Sequence, residues 1–226
     1  MVGILEVGKM AFESYRKDIV AAIIFVLLHI LAILVSIIPI IGAVAGAYVF
    51  PRVLGWYYNK AIGNINPNYK LSFKIWLIRL LAIHLGILLL FGGALYAVLA
   101  GIPNLVGAGG ALTIGILVST ILGAIFNIFL IAIVFLVVLI VLELILYYQA
   151  YAAILGKIDK IEASTRVVKN SIKIIVYLIV WSIILEIIGA ILRAIPVVGG
   201  ILALIYTLFV FIPILNLIIA HKALSM

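Results

Sequence analysis

The sequence has no cysteine and little charge: of 226 residues, 15 are Lys or Arg and 7 are Asp or Glu. Without cysteine there is no disulfide, no thiolate metal site and no cysteine nucleophile, although no compartment is thereby excluded. Charged residues make up 10% and hydrophobic residues 69% of the chain, whereas soluble domains are about a quarter charged and half apolar. Also missing are a phosphate-cradling glycine loop, a Ser/His/Asp set in recognisable context, an acidic metal cluster and a His-Glu-x-x-His pair. A protease-like or phosphatase-like site within a membrane needs a Ser or several acids near a His, and the chain displays none. These absences point away from an enzyme, and no cofactor is expected. The net charge of +8 does not indicate nucleic acid, because the basic residues lie in short segments between apolar runs, where they report membrane topology.

What is present is a succession of apolar runs long enough to cross a bilayer, which takes ~20 helical residues. The longest, Ala111 to Leu155, has Glu143 as its only charge. A single helix through it is over twice the spanning length, so it either protrudes or bends near Gly115 and Gly123. Met1 to Lys17 reads as a short interfacial helix rather than a cleavable signal, because Arg16 and Lys17 lead directly into a full-length span. The expected spans are Ile19–Ile38, Ile41–Ala61, Ile75–Ala100, the run just described, Ile174–Ile195 and Ile201–Ala220. Residues 156–173 place Ile158, Ile161, Ala163, Val167 and Val168 near one helical face, which predicts an amphipathic helix lying at the surface.

Apart from Arg193, all Lys and Arg residues fall at the same set of alternate boundaries, while the opposite turns are nearly chargeless. Positive-inside bias then puts six crossings in the cell membrane with both termini cytoplasmic. Trp56, Tyr57, Tyr58, Tyr147, Tyr148 and Tyr151 gather on that inner side as interfacial anchors. Three outer turns repeat a motif: IPIIG at Ile38–Gly42, IPNLVG at Ile102–Gly107 and IPVVGG at Ile195–Gly200. Pro stops the incoming helix and Gly permits tight re-entry. The expected fold is therefore all-α, one transmembrane bundle of three parallel helical hairpins, at about 1–62, 63–155 and 156–226, with amphipathic interfacial helices on the cytoplasmic side. An axis along the membrane normal relates such units, unlike the inverted repeats of many transporters. The abundant Ile and absent Cys fit a thermophile.

The segments EASTRVVKNSIKIIVYLIV, IPVVGG and AYVFPRVLGWYYNKAIGN resemble archaeal six-helix integral membrane proteins of an uncharacterised family. They are also loosely similar to the membrane domain attached to some bacterial glycerophosphodiester phosphodiesterases. The resemblance implies a six-helix membrane fold. It implies no phosphodiesterase activity, because the soluble catalytic domain of those enzymes is absent.

Few polar residues lie within the spans. Arg52 and Glu143 sit at matching depth in successive repeats and form a candidate buried ion pair, the alternative being that Arg52 snorkels to the interface and Glu143 meets water there. On span 5, Ser182, Glu186, Gly189 or Ala190, and Arg193 form a polar, small-residue stripe. With His29 and His84 at similar depth they make a candidate intramembrane polar site, read as a packing cluster or as a proton or substrate path. No close ligand spacing makes the two His and Glu186 a metal site. Gly42 and Gly46, and Gly115, Ser119, Gly123 and Asn127 at four-residue intervals, form candidate packing seams, within the chain or between subunits. The basic segments are expected at anionic headgroups, at about 1 kcal/mol per residue near the surface.

Two functions fit. The first is a noncatalytic module that contacts membrane lipids and forms a homo-oligomer or supports a membrane partner protein. The second is a small transporter or channel with a polar path at Glu186, His29 and His84, aided by broken helices at Pro51 or Pro213.

Overall fold

The computed structural model describes residues 3–106 and 113–226; the side chains of residues 94, 96–106, 113–117, 119–121, 124 and 127 lie outside that description. Eight α-helices and no strand occur among the described residues: α1 (Ile4–Lys17), α2 (Ile19–Ser36), α3 (Ile41–Ala61), α4 (Tyr69–Val106), α5 (Thr113–Ile154), α6 (Thr165–Arg193), α7 (Gly199–Tyr206) and α8 (Ile212–Leu224). A single π turn, Thr207–Phe211, joins α7 to α8. Five stretches are long and apolar enough to cross a membrane: Ile19–Ser36, Tyr69–Gly93, Ile128–Ile154, Thr165–Arg193 and Gly199–Leu224. The protein is thus all-helical, with the make-up of a multi-pass membrane protein.

α3 forms where a sixth span is expected, but is not among those five. It carries Arg52 and Lys60 and is rich in Gly, Ala and Tyr. Its burial explains that composition: twelve of its 21 residues are buried, including Tyr57, Tyr58 and Leu54. A helix wrapped by protein has little need of large apolar side chains facing outward.

The chain divides into two compact units, Met1–Leu80 with Glu143–Met226, and Leu81–Leu142. In the first unit, α2 and α3 pack as a hairpin. A Cβ on Gly42 would stand 2.7 Å from the Ser36 carbonyl, so only glycine lets the chain turn this tightly. Phe25 stacks on Tyr57 at 4.3 Å and Phe50 on Trp76 at 5.5 Å, filling the space behind that hairpin with rings. α1 docks on this unit: Val7 and Ala11 are fully buried, Gly8 lies against the Trp181 ring, and Trp181 Nε1–H donates to the Ile4 carbonyl at 3.1 Å. In the second unit, the Phe135 ring lies directly over Gly86.

Two of the repeated turns share one backbone geometry. Ile40 (φ 61°) and Val197 (φ 68°) occupy equivalent places, each spanned by a two-residue bond: Ile41 N–H to Pro39 O at 2.7 Å and Val198 N–H to Pro196 O at 2.8 Å. These are γ-turns with a β-branched residue at positive φ, a strained conformation. The third motif behaves differently. α4 continues through Gly101, Ile102 and Pro103 to Val106, where a turn was expected, and the rest of that segment, residues 107–112, lies outside the described residues.

The amphipathic helix expected over 156–173 does not form. Residues 155–164 are turn and irregular backbone, and α6 begins at Thr165 with Ser164 as its N-cap, accepting from Val167 N–H at 3.3 Å. Three local features override the apolar periodicity. Gly156 turns the chain at φ 70°. The Gln149 side chain binds the Glu162 backbone twice, accepting its N–H at 2.7 Å and donating to its carbonyl at 2.8 Å. Lys157 Nζ donates to Leu224 O at 2.6 Å.

The last rod, Gly199–Leu224, is interrupted in a way the sequence explains. Pro213 has no N–H for the carbonyl four residues back, that of Phe209. The Tyr15 hydroxyl donates to it instead, at 3.0 Å. Burial pushes the Tyr15 phenol pKa up, so it remains a donor.

Candidate functional site

Charged groups inside apolar helices set the chemistry available to this chain, because each must be paired, hydrated or functional. The most enclosed of those held in an ion pair, among the described residues, is Arg79, on α4. It is 9% exposed, and its guanidinium grips Glu143 of α5 with two bonds, Nε–H to Oε1 at 2.9 Å and Nη2–H to Oε2 at 2.8 Å. This planar, two-pronged geometry is the strong form of an Arg–carboxylate contact. Aromatic rings surround it: the guanidinium carbon is 4.7 Å from the Trp76 ring centre and 5.3 Å from that of Tyr147, and Tyr151 contacts both rings.

The partner of Glu143 is therefore Arg79, not the expected Arg52. Arg52 instead lies over the Tyr48 ring at 3.4 Å and donates to the Tyr48 carbonyl at 2.7 Å. Matching depth along two helices does not fix the direction in which a side chain points around its axis. Arg79 was legible as a charge a few residues inside span 3, three positions after Trp76, and that was the signal for it.

Several buried polar atoms near this pair have no hydrogen-bond partner: Arg79 Nη1, Trp76 Nε1, Ser72 Oγ and Tyr58 OH. Ser72, Trp76 and Arg79 recur at helical spacing along α4 and so share a face. All are donors, so the guest that suits them is an acceptor such as water.

The other candidate residues are distributed as follows. Glu186 pairs with Arg193, two turns along the same helix, and both side chains are about half exposed. Gly189 lies under Tyr206, whose hydroxyl donates to Leu185 O at 2.9 Å. Ser182 lies on the same helix, α6. His29 sits between Phe25 and Phe50, at 5.2 and 5.3 Å, and its Nδ1 has no partner. Among the described residues no ion pair joins His29 to Glu186. His84 is buried on α4 within the second unit. No cluster of three His, Cys, Asp or Glu suited to a metal occurs among the described residues.

Of the packing seams, Gly42 and Gly46 both lie against Ser36 at the α2–α3 contact. Gly123 has nothing within 4 Å of where a Cβ would stand. The side chains of Ser119 and Asn127, and the surroundings of Gly115, lie outside the described residues. The helix α3 runs unbroken through Pro51, and Pro213 follows a π turn rather than an unwound segment.

No protein-family model, curated protein or solved structure matches the chain.

Proposed function

We propose that this chain is a noncatalytic module of the cell membrane, a lipid-contacting helical bundle that forms a homo-oligomer or supports a membrane partner protein. Six crossings arranged as three parallel hairpins, with cytoplasmic termini, suit this role. The shared γ-turn geometry at Ile40 and Val197 supports the repeat, and the alternation of basic boundaries supports the orientation. In this reading the kinship with archaeal six-helix membrane proteins is one of architecture.

One observation carries the proposal. Glu143 and Glu186 are the only carboxylates within the apolar helices that follow α2, and each is matched by an arginine of the same chain. Charges consumed in internal pairs hold helices together and are not available to a moving ion. The test is reconstitution into liposomes, followed by proton, cation and solute flux, alongside native mass spectrometry from gently extracted membrane. The expected result is silence in flux and a defined oligomer or stoichiometric partner. Robust flux would overturn the proposal.

A specific observation favours a second reading, a small transporter or channel. The unpartnered donors around Arg79, together with His29 Nδ1, provide buried polar atoms that water suits. That reading expects pH-dependent flux that is lost in Glu186→Gln.

A further inference from the structure

Where α6 begins and α8 ends, the first unit forms an open cavity of about 550 Å³. Thr165, Arg166, Lys169 and Lys173 of α6 line it on one side, and Lys222 and Ser225 on the other. Four of these six are cations, and no Asp or Glu side chain lines the cavity. Arg166, Lys169 and Lys173 follow at three- and four-residue intervals, so they share one helix face, where like charges repel. The nearest acid in sequence, Glu162, is 3.7 Å from Lys160. The first turn of α6 adds the partial positive charge of its free N–H groups.

Lys222 is the informative member. It is 2% exposed, its ammonium lies 4.1 Å from the Tyr177 ring centre, and among the described residues no carboxylate pairs with it. A buried ammonium forfeits its hydration, and an aromatic face returns only part of that loss. The fold therefore holds a lysine, with three further cations, around a space that no Asp or Glu side chain lines, with Asn170 and Met226 completing its lining.

We infer that this cavity binds a phosphate group, either the headgroup of an anionic lipid or a free phosphate. Four cations call for more than a single negative charge, and a phosphate supplies oxygens in several directions for donors arriving from two helices. The space is large enough for a headgroup. The lipid source rests on the membrane-module reading above, whereas the free-phosphate source stands without it.

The test uses the full chain. In detergent, its thermal unfolding is followed while sodium phosphate replaces chloride at constant ionic strength. In nanodiscs, native mass spectrometry compares retention of dioleoyl phosphatidic acid with that of dioleoyl phosphatidylcholine. Lys222→Met keeps the apolar stem, Lys169→Gln changes an exposed residue, and Lys60→Gln is a control on α3. One phosphatidic acid per chain is expected in preference to phosphatidylcholine, weakened on the order of tenfold to a hundredfold in Lys222→Met. It should be weakened less in Lys169→Gln and left unchanged in Lys60→Gln. Retention of phosphatidic acid with no response to phosphate identifies the headgroup as the source. Protection by phosphate without lipid, lost in Lys222→Met, identifies the free anion. If Lys222→Met is poorly folded, Lys169→Gln decides alone. Equal retention of the two lipids, with no phosphate response in any variant, overturns the site while leaving a lipid-contacting module intact; flux in liposomes would be the separate failure of that module.

Discussion

The two units of this protein differ most in charge. All 15 Lys and Arg and all 7 Asp and Glu belong to the first unit, and residues 81–142 have none. Packing divides the same way. Among the described residues, the largest fully buried side chains, Tyr57, Tyr58, Phe25 and Lys222 among them, all lie in the first unit. In the second, Leu89, Phe91, Phe126 and Phe129 are each more than 60% exposed. Outward-facing apolar side chains in such density suit hydrocarbon as solvent. The first unit resembles a soluble core in that it buries polar groups and must satisfy them. The second carries almost no such obligation. Arg79 and Glu143, the last charge before the chargeless stretch and the first after it, bind each other.

That boundary pair offers the largest lever on the comparison. Arg79→Met or Glu143→Met alone should cost about 3–5 kcal/mol, toward the lower end because Glu143 is partly exposed, whereas the double variant carrying both changes should cost much less. Reversible unfolding in mixed micelles measures the cycle, and additive single losses would show that the pair contributes nothing as a pair. Next is a charge placed in the second unit. Val134→Lys should cost about 2.5–3.5 kcal/mol of insertion, read as the membrane-integrated fraction, while Asn59→Lys, at an exposed position of the first unit, should be silent. Equal tolerance at both positions would erase the distinction.

Glycines give a contrast of sign. A Cβ at Gly156 would stand 2.2 Å from Asn66 O on a residue at φ 70°, so Gly156→Ala should destabilise by about 1–3 kcal/mol. Gly123, in helix α5 with open space around it, should gain up to about 1 kcal/mol as Ala. Thermal shifts in opposite directions are expected, and a shared direction would contradict the packing described for both. A similarly small effect belongs to Tyr15→Phe, which removes one neutral hydrogen bond and should cost about 0.5–1.5 kcal/mol. Protection of the α8 amides in hydrogen exchange would report it.

Much of the helical layout was legible because Pro39 and Pro196 end helices and Gly42 and Gly199 permit the turns that follow, all of it local chemistry. The identity of Glu143's partner was not, since it depends on how three helices rotate against one another. The surface helix over 156–173 was misread for a related reason. Ile158, Ile161 and Val167 keep helical period, but the Gln149 side chain, thirteen positions back on α5, captures the Glu162 backbone and holds the segment out of helical geometry. Ser164 carried a local signal, an N-cap before an apolar run, and it marks the true start of α6. The basic cavity stayed hidden because Lys222 and Arg166 lie 56 positions apart and meet only when α6 and α8 pack.

The π turn at Thr207–Phe211 sets the rotational phase of the chain's final helix. A π turn houses one residue more than an α-turn does, and each α residue advances the helix by about 100°. Were the five residues to relax into α geometry, α8 would swivel by about that angle and travel about 1.5 Å along its axis. Lys222 would then turn away from the wall that Arg166 and Lys169 share. A deletion within 207–211 that absorbs the surplus residue leaves the phase of α8 intact, whereas the same deletion two turns later spins only the residues after it. The angular aim of the last helix is thus stored more than ten residues upstream of the lysine it delivers, in a turn whose spare carbonyl is held by the N-terminal helix.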